Sequence, residues 1–382
     1  MIWPLEGILV VDFSQFLAGP YASLRLLDMG ARVIKVENVD GGDLCRYHYL
    51  SDTRIGGDST LFHAINRGKE SIALDLKSAE GLACARRLVA KADVVIQNFR
   101  PGVMERLGLG YEAARAINPD VIYGSISGYG VAGNWSHLAG QDLLAQARSG
   151  IMWLSGNADD GPVPIGLPIA DISTGANLAM GLLGALFRHA RMGTGALVET
   201  SLLESLADMQ FELLTTFLNN GHKPPQRLGS GSAHGYLGAP YGVYETARGH
   251  LALAMSPIAD LAEALQLDAL HGFSGQANAG FAHRETLHRL IGTHLRTRPA
   301  EEWETILATK DIWCARVLTW PEMINSPAFR ALDMVRTMTT PDEAPAHFMQ
   351  GPFRMDGQRP QVRGAGPNLD ADGDKVRAEF GP

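Results

Sequence analysis

Along the first third of the chain, apolar and polar positions fall into blocks that switch between the period of a strand and that of a helix. Ile8-Leu9-Val10-Val11-Asp12-Phe13 is a short apolar run of buried-strand type. After Ser14-Gln15-Phe16-Leu17-Ala18-Gly19-Pro20, the residues Tyr21, Leu24 and Leu27 recur three apart, as on one helix face, and Gly30 ends that helix. Arg32-Val33-Ile34-Lys35-Val36-Glu37 is the next strand, so the opening is a β-α-β unit with parallel strands and a right-handed crossover. Gly41-Gly42-Asp43 begins a loop that lasts to Asn66-Arg67-Gly68-Lys69. Ser71 to Lys77 alternates as a half-buried strand should, and a helix is expected from Ser78 to Ala92. The next strand begins at Asp93 and ends in Asn98-Phe99-Arg100-Pro101-Gly102, just past its carboxyl end, where open α/β sheets bind ligands. Val121 to Ile126 is a further strand, followed by the Gly-rich Ser127-Gly128-Tyr129-Gly130.

Gln141 to Ala147 has a helical pattern, and a long apolar helix is expected from about Ile172 to Arg191. That segment carries Gly175, Ala176, Ala179, Gly181, Gly184 and Ala185, a composition that points to very close packing against another backbone. Gly195 to Thr200 reads as the last strand of this half, and Ser201 to about Asn219 as one long helix. Strands alternating with helices make this part α/β. The composition then shifts at Asn220-Gly221-His222-Lys223-Pro224-Pro225, a linker. Tyr241 to Thr246 and His250 to Met255 pair as a hairpin about Ala247-Arg248-Gly249, and helical patterns follow at 258–265 and 284–295. These make a small α+β domain. The tail from Ala365 to Pro382 is polar and carries no pattern.

At 382 residues the chain exceeds the size at which single cores stop growing, so two domains are expected. A net charge of −8 argues against a nucleic-acid binder, and any polyanionic ligand must meet a local basic site. Three widely spaced cysteines, Cys45, Cys84 and Cys314, fit a reducing compartment. The first six residues lack a basic start and a long apolar region, and the run Leu178 to Phe187 is too short and Gly-rich to span a bilayer. The expectation is a soluble cytoplasmic protein without a membrane partner. No His or Cys set has zinc spacing, so no metal is expected, and no G-x-S-x-G elbow is present. The turn after the first strand lacks G-x-G-x-x-G, which argues against a dinucleotide site. Gly229-Ser230-Gly231-Ser232 fits a mobile loop over a site and linker flexibility equally well.

Asp171 stands alone in Gly166-Leu167-Pro168-Ile169-Ala170-Asp171-Ile172-Ser173-Thr174-Gly175, at the start of the long apolar helix. Two roles fit a carboxylate there. It can cap the helix, or, stripped of competing water, attack an activated acyl group. Spacing alone does not choose between them.

Several stretches occur together in a fixed order: Ala18-Gly19-Pro20; Val33-Ile34-Lys35-Val36-Glu37 with Gly41-Gly42-Asp43; and Asn66-Arg67-Gly68-Lys69 with Leu74-Asp75-Leu76-Lys77. Asn98-Phe99-Arg100-Pro101-Gly102 with Leu107-Gly108, Asp160-Gly161-Pro162, Ala170-Asp171, Gly193-Thr194-Gly195 and Ala239-Pro240-Tyr241 follow. Together they resemble the class III CoA-transferases, the family of formyl-CoA transferase, the carnitine CoA-transferases and 2-methylacyl-CoA racemase. The resemblance covers nearly the whole chain except the polar tail.

It implies an interlocked homodimer. Each subunit would have a large Rossmann-like CoA-binding domain over 1–200, completed by about 330–382, and a small α+β domain over 225–325. Coenzyme A or acyl-CoA and a carboxylic acid would be the substrates. The carboxylate matching Asp171 would attack the donor thioester to give a mixed anhydride, which CoA thiolate converts to an enzyme-bound aspartyl thioester. Asn98, Phe99, Arg106, Leu74 and Lys77 match CoA-contacting positions, with Arg106 and Lys77 offering cations to phosphates and Phe99 an apolar face. Departures bear on the substrate. Formyl-CoA transferase has Gln, Arg and Lys where this chain has Leu17, Asn38 and Ala139, which argues against oxalate or formyl. The racemases carry His at the position of Gln141, and an amide cannot shuttle a proton, so 2-methylacyl-CoA epimerisation is the second reading. A CoA-binding subunit without activity is a third, against which the retention of Asp171 counts.

Overall fold

The computed structural model describes residues 3–47, 53–276, 278–340, 345–360 and 364–381. The chain divides into two compact units, one of Met1–Arg148, Leu167–Met209 and Ala331–Pro382, the other of Ser149–Gly166 and Gln210–Arg330. Against the expected 1–200 completed by about 330–382, and 225–325, the long segment of the second unit runs Gln210–Arg330, and the unit also takes in Ser149–Gly166.

The first unit is built on a six-stranded sheet. Its strands are β1 (Leu9–Asp12), β2 (Arg32–Glu37), β3 (Glu70–Ala73), β4 (Val94–Gln97), β5 (Ile122–Ser127) and β6 (Ala196–Ser201). They lie side by side in the order β3-β2-β1-β4-β5-β6, and every pairing is parallel. Val10, Val11, Ile34, Ile72, Val94, Val95 and Ile96 are buried, so the central strands are covered on both faces and read as continuous apolar runs. The edge strand β3 is short and buried over Ser71–Ala73, not alternating to Lys77: Leu74 N still donates to Glu37 O at 2.9 Å, and the Leu74 side chain joins the core.

Crossover helices include α1 (Ala18–Asp28) and α2 (Ala79–Lys91). Ser78 caps α2 by accepting from Gly81 N at 3.0 Å. Of the region 41–69, residues 48–52 lie outside the described residues, and the remainder is less irregular than its glycines imply. It contains a helix, Thr60–Asn66, capped by Ser59, and buries Phe62 and Ile65 with Leu17 and Cys45.

Two further helices, α3 (Asp142–Ser149) and α4 (Ile169–Met192), carry the chain back to β6. The helix α4, longer than the run Leu178 to Phe187, is long and apolar enough to cross a membrane by length and composition alone, as buried core helices also are. Its Ala170, Leu178, Ala179 and Leu182 are buried in the first unit. A side chain at Gly175 would collide with the Ala18 carbonyl oxygen, which is why α4 tolerates glycine there.

The expected single helix 201–219 is two, α5 (Leu202–Met209) and α6 (Phe211–Asn219), with the division between units falling at Gln210. The second unit holds an antiparallel sheet of β7 (Gly242–Glu245), β8 (His250–Leu253) and β9 (Cys314–Arg316), with β8 central. Its core packs Tyr244, Leu251 and Leu253 against α7 (Ile258–Leu265), α8 (Arg284–Leu295) and α9 (Ala300–Ala308) through Leu261, Leu265, Leu287, Ile291, Trp303 and Leu307. The Gly229–Ser232 stretch is anchored at both ends, by Gly229 N to Glu285 Oε1 (3.0 Å) and by Val243 N to Gly231 O (3.0 Å).

The polar tail has a definite place. Asp370 Oδ1 accepts from Ala73 N at 2.8 Å and Asp372 Oδ2 from Ser71 N at 3.0 Å, so two carboxylates satisfy the open edge of β3. The helix α10 (Gly373–Phe380) that follows adds Val376 to the core of the sheet.

Candidate active site

The start of α4 decides between the two roles open to Asp171. The helix begins at Ile169, three residues earlier than its apolar pattern implies, so Asp171 lies inside the first turn. Pro168 at the N-cap has no side-chain acceptor. The cap comes from α3 instead: Asp142 Oδ1 accepts from Ala170 N at 2.7 Å and from Asp171 N at 3.2 Å. Gln146 Nε2, one turn along α3, donates to Asp142 Oδ2 at 2.7 Å and fixes its orientation. Among the described residues nothing donates to the Asp171 carboxylate. Its pKa is pushed up to about 7, first by burial and then by the negative charge of Asp142. A half-buried carboxylate without donors, basic for its type, can act as nucleophile or base.

Gly175 lies one turn after Asp171 on the same face of α4 and meets Ala18 and Tyr21, while Ile172 packs on the cluster that holds Leu17. Asp171 therefore stands by the amino end of α1. That end has no side-chain cap, and the N–H groups of Leu17, Ala18 and Gly19 have no partner among the described residues. Three free donors with the helix dipole behind them favour negative charge developing beside Asp171.

The motif Ala18-Gly19-Pro20 has a physical basis here. A side chain at Gly19 would run into Ser14, and Pro20 sits in the first turn, where no N–H is needed. Phe16, just before the helix, takes φ +62°, a left-handed conformation that costs a bulky residue about 1–3 kcal/mol.

Four of the expected ligand residues, Asn98, Phe99, Leu74 and Lys77, follow strand ends. Asn98, after β4, spends its side chain on the turn after β1: Oδ1 accepts from Gln15 N at 2.8 Å and Nδ2 donates to Gln15 O at 2.7 Å. It is brought together with the Asp171 region, and its amide groups are engaged there. Phe99 is half-buried at the rim of the core, its N–H donating to Gln97 Oε1 at 2.8 Å. Arg106 is exposed at the end of a short helix, Val103–Arg106, entered through Gly102 at φ +84°. Leu74 and Lys77 follow β3, two strands from β1 and so about 10 Å along the edge of the sheet. Lys77 is exposed, whereas the Leu74 side chain is buried in the core and its N–H donates to Glu37 O at 2.9 Å, which leaves the carbonyl for any ligand. No group of three His, Cys, Asp or Glu able to hold a metal occurs among the described residues.

Asp142 is the residue that pattern reading missed. Its position at the start of α3 is legible, but its partner lies 28 residues on.

Comparison with known proteins decides the family, since the model of CoA-transferase family III matches residues 5–373. The chain belongs to CoA-transferase family III. Within that family it is 34% identical to a succinate–glutarate CoA-transferase of Agrobacterium fabrum, over 94% of this chain and 93% of the other. It is 33% identical to a succinyl-CoA:mesaconate CoA-transferase of Haloarcula hispanica, over 96% and 93%. The crystal structure of a CaiB/BaiF family protein from Brucella suis superposes with a TM-score of 0.85 at 32% identity, covering 100% of both chains.

For this family III transferase the raised pKa of Asp171 has a consequence for stability. An acid that holds its proton more tightly folded than unfolded loses stability as it charges. For Asp171 the loss begins near the ordinary value of 3.8, grows toward about 7 and is complete above it. Asp171→Asn removes that titration. The variant should match the parent near pH 4 and exceed it at pH 8 by about 1–2 kcal/mol, the full shift being discounted for partial exposure. Urea unfolding at the two pH values measures this, and the same difference at both would refute it.

Proposed function

We propose that Asp171 is the nucleophile through which this CoA-transferase moves CoA from an acyl-CoA to a small organic acid. Transfer of CoA between an acyl-CoA and an acid is the chemistry of the chain's family and of its relatives. The observation that carries the assignment is the cap by Asp142, which leaves the Asp171 carboxylate basic, half-buried and without donors.

Asp171 attacks the donor thioester carbonyl, and the C–S bond breaks to release CoA thiolate and leave a mixed anhydride. The thiolate then attacks the Asp171 carbonyl carbon, expels the donor acid as its carboxylate and forms an aspartyl thioester. The incoming acid repeats the two steps in reverse, leaves as its CoA ester and restores Asp171. In each tetrahedral state, negative charge on oxygen falls beside the free N–H groups of α1. Racemisation would require a titrating partner, and Gln141, next to Asp142, supplies an amide.

CoA lies, in this reading, along the carboxyl ends of the strands. The order β3-β2-β1-β4-β5-β6 is that of doubly wound nucleotide-binding sheets, which supports a Rossmann-like description of the large unit. This reading assigns Phe99, Arg106, Lys77 and the Leu74 carbonyl to CoA, and Asn98 to the turn beneath it. Succinyl-CoA and C4–C5 dicarboxylic acids are the first substrates to test, given what the relatives are named for.

A homodimer belongs to the same reading. On α4, Met180 and Phe187, seven residues apart on one side of the helix, are 67% and 65% exposed, an apolar face that a second copy of this chain would cover.

Asp171→Ala and Asp171→Asn should each lower turnover by at least about 1,000-fold with the fold intact, as removal of a nucleophile does. Hydroxylamine with succinyl-CoA should inactivate the parent by modifying Asp171, read by mass spectrometry; full activity in Asp171→Ala sinks the mechanism. Arg106→Ala should raise KM for the CoA donor about tenfold or more and leave KM for the acid unchanged, the loss of one phosphate contact. An equal rise in both KM values removes Arg106 from the CoA site. Light scattering at low concentration should give two chains per particle, and a stable active monomer would exclude the dimer.

A further inference from the structure

The turn between β1 and α1 is held by side chains from four places in the first unit. Asp12 Oδ1 accepts from Ser14 N at 2.9 Å, and Asn98 brackets both backbone groups of Gln15. Lys35, from β2, donates through Nζ to Ser14 O at 2.8 Å. Asp43 accepts at Oδ1 from Phe16 N at 3.1 Å and from Cys45 N at 3.0 Å. Lys35 Nζ and Asp43 Oδ2 meet at 2.8 Å, and both side chains are almost completely buried, at 0% and 1% exposure. One ion pair thus grips the turn on either side of Gln15, by the carbonyl before it and the N–H after it. The residue that follows this grip is Phe16 at φ +62°.

An isolated buried pair adds little to stability compared with apolar packing, and glycine would adopt the same backbone without restraint. Here a bulky residue is kept left-handed, with Asp43 taking its N–H and Asp12, Lys35 and Asn98 holding the two residues before it, next to the first free N–H groups of α1. Backbone forced into such a region by its surroundings points to function. We infer that the buried Lys35–Asp43 pair is a positioning device for CoA transfer, fixing the turn at Phe16 so that the N–H groups of Leu17, Ala18 and Gly19 face the reacting carboxylate. The inference rests on the nucleophile reading of Asp171.

The test is a cycle. Lys35→Met and Asp43→Asn are made together, so that no lone charge is left buried, in the natural chain and in Phe16→Gly, and CoA transfer from succinyl-CoA to glutarate is measured. Displacing the donors by about 1 Å should lower kcat roughly 100-fold in the natural chain, with KM for the CoA donor changed less than about threefold. In Phe16→Gly the turn no longer needs holding, and the same pair of substitutions should cost less than about tenfold. A purely structural pair would give the same loss in both backgrounds, and that result, or no loss in the natural chain, overturns the inference. If the paired variant does not fold, Asp43→Asn alone in the two backgrounds is read in the same way. Asp171→Ala separates the two levels. Activity in Asp171→Ala removes the nucleophile, whereas an inactive Asp171→Ala beside a fully active Lys35→Met/Asp43→Asn removes only the positioning role.

Discussion

Asp142 closes the amino end of α4, and much of the site follows from that contact. A helix start must find acceptors for its free N–H groups, and the nearest carboxylate in sequence is Asp171 itself. Because Asp142 reaches across from α3 and takes both Ala170 N and Asp171 N, the second carboxylate is released from structural duty. The same contact brings two negative charges together in a poorly solvated place, where one is held by three donors and the other by none. Burial and that neighbouring charge raise the pKa of the acid that has no donors, Asp171.

Beneath this surface the sheet carries an unusual load of buried charge. Asp12, Lys35, Glu37, Asp43, Arg46 and Lys69 are all buried, and each has an opposite charge beside it. Asp12 meets Lys69 at 3.1 Å and is held below the usual carboxylate range; burial opposes this, but Lys69, Lys35 and the Ser14 and Ser23 hydroxyls outweigh it. Removing one partner from such a set leaves a bare charge in a dry interior, which is far more costly than the pair itself. The network also ties the ends of β1, β2 and β3 to one geometry, and the turn before α1 inherits it.

Where the signal was local, the fold was legible. The bounds of β2 are those of its apolar run, and α7 and α8 occupy 258–265 and 284–295, because amphipathic periods and Gly stops are set by neighbours in sequence. The helix Thr60–Asn66 carried a readable signal too, in the spacing of Leu61, Phe62 and Ile65, but the glycines around it masked it. What was not legible depended on distance. No period reveals that the helical stretch after β6 breaks at Gln210, that 149–166 belongs to the second unit, or that Asp142 caps a helix beginning at Ile169. The site shows the same division. Asp171 stands out in sequence as a lone carboxylate in an apolar setting, and Asn98 as a polar side chain past a strand. Their actual surroundings, an uncapped α1 and a turn gripped from below, arise only from strand order.

The tail that satisfies β3 has a further consequence for how the molecule is made. Ser71 N waits for a carboxylate 301 positions later in the chain. On the ribosome, at roughly 5–20 residues per second, that interval lasts about 15–60 seconds. Through all of it the outermost strand of the large sheet has an open edge, a ready template for the wrong neighbour. Shortness is its defence: β3 has four residues, three of them buried, and the ladder it presents is brief. The protein can therefore begin its sheet early, but only the arrival of Asp370 and Asp372 satisfies the β3 edge.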